Sequence, residues 1–136
     1  MSEDNVEFVR QGFAALGGGD VDALMPLIHP DFELTTPPAL AAEPDTYRGP
    51  EGLRRYFDSF YEAMDRVTFE PEDLIPVGER VVVPSTLRTR GRTTGIETTQ
   101  RVVQIWDVKD GKAFRVEVCA TLEEAMEAAR SSASES

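Results

Sequence analysis

The first half of the chain carries its apolar residues at helical spacing. Val6, Val9, Phe13 and Leu16 recur every three to four residues, with charged and polar residues between them. This spacing predicts an amphipathic first helix. The glycines at 17–19 predict its end, because glycine tolerates the left-handed backbone that commonly closes a helix.

Two more helices, separated by a strand and a loop, are predicted before residue 66. Asp20 fits the N-cap of a short second helix, alternation at 32–36 predicts a strand, and residues 37–46, with three prolines, predict a long loop. Pro50 suits the first turn of a third helix. The apolar side of the second helix consists of Ala23, Leu24, Leu27 and Ile28, and that of the third consists of Leu53, Phe57, Phe60 and Met64.

The second half changes to the two-residue alternation of strands. Apolar and β-branched residues dominate four stretches, and Asp110-Gly111 is a strong hairpin signal. Pro84 predicts a bulge or an edge position, because proline cannot donate to a strand ladder. Successive strands with short turns predict an antiparallel meander. The four stretches are residues 66–77, 81–90, 96–108 and 113–119.

A fourth helix is predicted at the end of the chain. Thr121 and Glu124 have the spacing of a capping box. Residues 131–136 are polar and predict a disordered tail after a single domain at 1–130. Helices followed by strands give an α+β fold in which three N-terminal helices cover one face of a mostly antiparallel sheet.

Composition and charge limit the classes of function. The chain has 136 residues and a net charge of −11, so binding to nucleic acids or to anionic membranes is not expected. One cysteine excludes an internal disulfide. Neither a signal peptide nor a membrane-spanning apolar run is visible, which predicts a cytoplasmic protein. No cofactor is expected.

Several short motifs, in order along the chain, resemble the SnoaL-like branch of the nuclear-transport-factor-2-like superfamily, which includes ketosteroid isomerases. They cover nearly the whole chain, and their order is more specific than any single motif. The matching segments are residues 13–16, 19–24, 29–33, 47–52, 104–106, 110–112 and 122–129.

The resemblance implies a cone-shaped α+β barrel with a pocket between the concave face of a curved sheet and the helices. It also implies a small hydrophobic molecule as the ligand and a homodimer formed through the sheet. Relatives include polyketide cyclases, ketosteroid isomerases and epoxide hydrolases, so the shared fold does not select one reaction.

The catalytic groups of these relatives do not carry over by position. Ketosteroid isomerases use an Asp base with a Tyr and a protonated Asp. The matching positions here fall near Thr36, Gly12 and Gln104, none of which retains the required group. Epoxide hydrolases use Asp-Arg-Asp, but the Asp expected two residues after Arg88 is Arg90. Catalytic residues therefore stay unassigned.

A set of mostly apolar residues remains as a candidate ligand-binding pocket. Alternation places Leu34 and Thr36 on the same face of their strand, and Gln104 and Trp106 on the same face of theirs. Aromatic side chains offer an apolar wall, and Gln104 can orient a carbonyl or hydroxyl group. Ordinary core packing explains each residue about equally well. The full set is Leu34, Thr36, Phe57, Phe60, Arg88, Gln104, Trp106 and Val118.

Other candidate residues carry less weight. His29 is the one histidine, at a predicted helix–strand junction, which favours a structural role and excludes a histidine-rich metal site. The acidic residues near 70–73 lack the spacing of a metal site. Cys119 is predicted to be a buried thiol. An arginine cluster is predicted to pair with carboxylates, Arg88 being the member placed to enter the pocket; the cluster is Arg88, Arg90, Arg92 and Arg101.

Three functions stay open at this point. The first is a cyclase- or isomerase-type enzyme acting on a hydrophobic, oxygenated molecule, which the family resemblance favours. The second is a non-catalytic carrier or sensor, which the non-titrating Thr36 and Gln104 favour. The third is a module whose function is dimerisation through its sheet.

Overall fold

The computed structural model describes residues 2–17, 21–35 and 46–135, and within these ranges it describes the side chains except at the ends of some segments and around 59–63. The helices are α1 (Ser2–Gly17), α2 (Val21–Leu24), α3 (Gly49–Ala63) and α4 (Leu122–Glu135), and a 3-10 turn spans Met25–Leu27. The strands are β1 (Ile28–Thr35), β2 (Thr46–Arg48), β3 (Met64–Pro71), β4 (Ile75–Val77), β5 (Arg80–Gly91), β6 (Glu97–Lys109) and β7 (Lys112–Cys119).

The strands form one mixed sheet that curls into a half-barrel. Its order is β2-β1-β7-β6-β5-β3, and β4 continues the β3 side of β5. Neighbouring strands are antiparallel except for β1 and β7, which are parallel. The predicted α+β fold with a mostly antiparallel curved sheet is confirmed.

The two faces of the sheet pack against different helices. Along β6, Trp106 faces the larger inner core, which includes α1 and α3, whereas Ile105 faces the outer core beneath α4. This division follows from strand geometry, because successive side chains point to opposite faces. The inner face is therefore the one that the N-terminal helices cover, as predicted.

Two local signals read from the sequence are confirmed. Asp110 and Gly111 have φ angles of 55° and 72°, the left-handed pair that a tight hairpin between β6 and β7 requires. The hydroxyl of Thr121 accepts a hydrogen bond of 3.2 Å from the backbone N–H of Glu124, which caps the start of α4.

The start of the sheet differs from the prediction in two places. Ile28 belongs to β1 rather than to the second helix, because the helix ends at Leu24 and the 3-10 turn containing Pro26 leads directly into the strand. The short strand β2 was not predicted. It pairs with β1 through Tyr47 opposite Leu34, a contact between segments that are separated by the loop.

Pro84 lies in an inner strand, so the edge position predicted for it is wrong. It pairs with Val103 on one side, and on the other it lies opposite the break between β3 and β4. Its carbonyl accepts a hydrogen bond of 2.8 Å from the N–H of Glu72 in that break. An irregular neighbour tolerates the missing N–H that a continuous ladder would need.

The helix at the end of the chain is longer than predicted. α4 continues through 131–135, the first part of the segment predicted as a disordered tail, since extending an existing helix costs little. The predicted loop at 37–46 lies almost entirely outside the described residues, as does Thr36. Within the described ranges, no helix combines the length and apolar character needed to cross a bilayer.

Candidate functional site

A small cavity lies between the concave face of the sheet and the helices. Its volume is about 30 Å³, enough for one or two water molecules but not for an organic ring. The hollow that the fold implies is thus nearly filled by side chains. The lining residues are Leu24, Ile28, Phe32, Leu34, Leu53, Tyr56, Phe57, Phe69, Gln104, Trp106, Val116 and Val118.

The structure brings together most of the predicted pocket residues. Thr36 lies outside the described residues, and so does the side chain of Phe60. The residues that line this cavity as a group are Leu34, Phe57, Gln104, Trp106 and Val118. Their role in binding a ligand remains a prediction, but their proximity is a structural fact.

Arg88 does not join this group. Its neighbour Leu87 packs in the inner core, so the alternation of β5 directs Arg88 to the outer face. There its Nε lies 2.9 Å from Oε2 of Glu70. The expectation that Arg88 enters the pocket overlooked this parity.

Sequence reasoning missed several lining residues. Phe32 and Val116 were recoverable from strand alternation, since each lies two residues before a predicted pocket residue. Leu53 was recognised as buried but not as part of the site. Tyr56 reaches the cavity from α3 and Phe69 reaches it from β3, and both depend on packing between distant segments that no local pattern reports.

A hydrogen bond fixes the polar group of the cavity. The indole Nε1–H of Trp106 donates to Oε1 of Gln104 at 2.9 Å, and both side chains are buried. The two residues are neighbours on the inner face of β6, which makes this contact possible. Since an indole N–H only donates, the Gln104 oxygen must face it, and the amide nitrogen faces away.

Aromatic rings form one wall of the cavity. The Tyr56 ring packs edge-on against Tyr47 at 5.2 Å and against Phe57 at 5.5 Å, and Phe57 packs against Phe69 at 6.3 Å between centroids. Burial, helped by Tyr47, raises the pKa of Tyr56 well above its usual range. Its hydroxyl therefore stays protonated near neutral pH and cannot act as a base.

The outer face of the sheet carries Arg88, Arg90 and Arg101, each of which pairs with a carboxylate as expected, whereas Arg92 lies in the turn after β5. Arg90 binds Asp65 at 2.8 Å, and this hydrogen bond holds the pKa of Asp65 below its usual value. Arg101 binds Glu72 at 2.9 Å, and Arg92 donates to a backbone carbonyl at 3.3 Å. These contacts support the structural interpretation of the cluster.

His29 and Cys119 lie away from the cavity lining. The Nδ1 atom of His29 accepts a hydrogen bond of 2.9 Å from the N–H of Asp31, and its Nε2 lies 3.6 Å from Asp110. The imidazole thus joins the start of β1 to the β6–β7 turn. Cys119 is buried beneath α4, and desolvation raises its pKa to about 11. Among the described residues no cluster of potential metal ligands occurs.

Solved structures share this fold at low sequence identity. An NTF2-like protein from Burkholderia thailandensis E264 is 26% identical, covers 91% of this chain and 95% of its own, and has a TM-score of 0.76. TerC, crystallised with polyporic acid, is 24% identical, with coverage of 93% and 98% and a TM-score of 0.76. A ketosteroid-isomerase-like protein from Catenulispora acidiphila DSM 44928, in complex with trimethylamine, is 15% identical, with coverage of 85% and 86% and a TM-score of 0.72.

The family assignment rests on the sequence itself. No curated protein matches the chain. The family model of the SnoaL-like domain matches residues 9–116, which span α1 to β7 and include nearly all of the cavity lining. The curled sheet and the helices on its concave face agree with that match, and the chain belongs to the SnoaL-like domain family, with a cone-shaped α+β barrel of the NTF2-like type.

Proposed function

We propose that this protein binds a compact, uncharged, mostly apolar molecule between its sheet and its N-terminal helices. The observation that carries the proposal is the composition of the cavity lining: aliphatic and aromatic side chains around one amide and one phenol. This is the usual composition of small-molecule sites. Two structural relatives, TerC and the Catenulispora protein, were crystallised with small molecules.

Binding without catalysis fits this lining better than proton transfer does. Tyr56 is the titratable side chain among the described lining residues, and burial keeps it protonated. Gln104 does not titrate. The amide of Gln104 can donate a hydrogen bond to a ligand oxygen, but neither side chain can remove a proton near neutral pH. A cyclase or isomerase reaction would need a base supplied from elsewhere.

The cavity must widen to accept a ring-sized ligand, because about 30 Å³ is too small. Movement of the aromatic wall would provide this space. The measured affinity is then reduced by the fraction of molecules that adopt the wider state. We therefore expect weak binding of small rings and a measurable conformational response.

Thermal denaturation tests the proposal. The wild type is heated with neutral one-ring compounds such as acetophenone, beside Val118→Leu, which adds one methylene to the cavity wall. At ligand concentrations of about 100 times Kd, the wild type gains roughly 2.7 kcal/mol, and Val118→Leu gains less. The proposal is rejected if no compound raises the Tm of the wild type, or if both proteins respond equally.

A homodimer through the outer face of the sheet is a second element of the proposal. Here residues of β3, β5 and β6 lie side by side in three rows beyond the part of the face that α4 covers. Each row has one residue from each strand. In that order the rows are Arg66-Arg90-Glu97, Thr68-Arg88-Thr99 and Glu70-Thr86-Arg101.

These rows are complementary to themselves. A twofold axis that runs parallel to β5, between the two facing sheets, exchanges β3 with β6 and keeps each row opposite itself. It would place Arg66 opposite the partner's Glu97 and Glu70 opposite the partner's Arg101. Thr68 would meet the partner's Thr99. Such reciprocal contacts are what a twofold interface requires. Arg88 and Arg90 lie on the axis, where each would face its own copy. The ion pairs of Arg88 with Glu70 and of Arg90 with Asp65 offset these like charges.

A charge exchange tests this arrangement by light scattering. Glu70→Arg and Arg101→Glu should each shift the protein toward monomer, and the double variant should recover the dimer because it restores opposite charges across the axis. Glu62→Arg on the exposed side of α3 is the control. A monomeric wild type, or a double variant that forms no more dimer than the single variants, contradicts the arrangement.

The cytoplasmic location predicted from the sequence stays part of this proposal, and cell fractionation tests it.

A further inference from the structure

We propose that the ligand of the cavity presents a neutral oxygen acceptor, such as a ketone or ether oxygen, to the side-chain amide of Gln104. This inference rests on the proposed binding function and names the chemical class of the ligand. It makes Gln104 the residue that orients an otherwise apolar molecule.

The orientation of the amide follows from its one hydrogen bond. Oε1 of Gln104 accepts the indole N–H of Trp106 at 2.9 Å. A rotated amide would set two donors against each other, so Nε2 and its two hydrogens point away from the indole. This removes the usual ambiguity between the oxygen and nitrogen of a glutamine side chain.

The Gln104 nitrogen is then a buried donor that lacks an acceptor among the described residues. The side chain lines the cavity, and the residue is 6% exposed. No other hydrogen bond from its amide is found in the described part of the chain. Buried donors are almost always paired, so a partner inside the cavity is expected.

The surroundings of Gln104 select a neutral partner. The described lining has no cationic side chain, so a buried anion would lack a counter-charge. The rest of the wall is hydrocarbon apart from Tyr56. An apolar ring with one carbonyl or ether oxygen satisfies both features, whereas an isolated water molecule would satisfy Gln104 but leave the apolar wall without contacts.

A pair of probes of nearly equal shape isolates this hydrogen bond. Acetophenone and α-methylstyrene differ in having C=O or C=CH₂. Their Kd values are measured by calorimetry for the wild type and for Gln104→Met, which keeps the length of the side chain but removes the amide. For each protein, the Kd for acetophenone is divided by the Kd for α-methylstyrene. Comparison of this ratio between the two proteins cancels the difference in hydration between the probes.

We expect Gln104→Met to raise the ratio of the Kd for acetophenone to the Kd for α-methylstyrene by about 3- to 10-fold relative to the wild type. An unchanged ratio, with both probes bound, overturns the role of Gln104 and leaves the binding function intact. Absence of binding by either probe to the wild type overturns the binding function itself, and this inference with it.

Gln104→Met also removes the acceptor of the Trp106 indole and can destabilise the fold, so a measurement on the wild type is included. The side-chain amide protons of Gln104 are followed by ¹H–¹⁵N NMR during titration. They should move downfield with acetophenone and not with α-methylstyrene. Equal responses to both probes, or none at saturation with acetophenone, would rule the contact out.

Discussion

Gly12 on α1 lies directly against the indole ring of Trp106 on β6: a Cβ atom at Gly12 would be 3.5 Å from Cη2 of Trp106. The absence of a side chain larger than a methyl group lets the helix approach the sheet closely at the wall of the cavity. Phe13, the next residue, packs against the same indole with ring centroids 5.5 Å apart. α1 thereby fixes the position of Trp106.

Replacement of Gly12 by alanine should stabilise the protein. The 3.5 Å distance is ordinary van der Waals contact, so the new methyl group fits, and glycine within a helix costs about 0.5–1 kcal/mol relative to alanine. Urea denaturation should show a gain of about that size. Gly12→Leu should instead lose stability, because a larger side chain collides with Trp106 and Leu24. A destabilised Gly12→Ala would mean that α1 lies closer to the sheet than described.

The ion pair between Arg80 and Asp107 predicts an asymmetric response to mutation. Its atoms are 2.8 Å apart, and the side chains are only 18% and 20% exposed. Arg80→Met leaves a partly buried carboxylate without a donor, whereas Asp107→Asn keeps an amide oxygen that can accept a hydrogen bond from Arg80. At pH 7, Arg80→Met should lose about 1–3 kcal/mol of stability, and Asp107→Asn should lose less.

The pH dependence of the same pair has a defined sign. Desolvation, opposed by Arg80 and Arg115, raises the pKa of Asp107 in the folded protein. A raised pKa means that the folded state holds the proton more tightly than the unfolded state does. The contribution of Asp107 to stability is therefore present at low pH and is lost as pH rises through the folded pKa. The defect of Arg80→Met should therefore shrink as pH falls toward about 4. A defect that grows on acidification would contradict this.

Cys119 should react slowly with iodoacetamide at neutral pH, since its thiol is buried and its pKa is raised to about 11. Because the unfolded thiol has a pKa near 9, the wild type should lose stability between about pH 9 and 11. In Cys119→Ala this part of the decline should be absent. Parallel pH profiles of the two proteins in urea denaturation would show that the thiol is not shifted.

Most of the fold was predictable from local sequence signals, whereas the errors in the predicted fold concern contacts between distant segments. The Asp110-Gly111 turn and the Thr121 cap depend on neighbouring residues, so the sequence predicted them correctly. The pairing of β1 with β7 and the strand β2 depend on distant segments. Pro84 was predicted at a bulge or an edge position, because the break between β3 and β4 that tolerates it in an inner strand is not visible in the sequence of β5.

The candidate site was predicted in part for the same reason. Period-two alternation identified Gln104 with Trp106, and their hydrogen bond follows from that shared face. Parity within β5 places Arg88 on the face opposite to that of Leu87, so the sequence also argues against Arg88 as a pocket residue. The size of the cavity depends on how side chains from several elements interlock, which is a property of packing rather than of any sequence pattern.

The most direct test of the central claim is the location of a bound ligand by intermolecular NOEs. With acetophenone at saturation, the account predicts contacts from its ring protons to the indole of Trp106 and to the methyl groups of Leu34 and Val118. Contacts confined to surface residues, or a saturated sample without contacts to these three side chains, would contradict a binding site between the sheet and the helices.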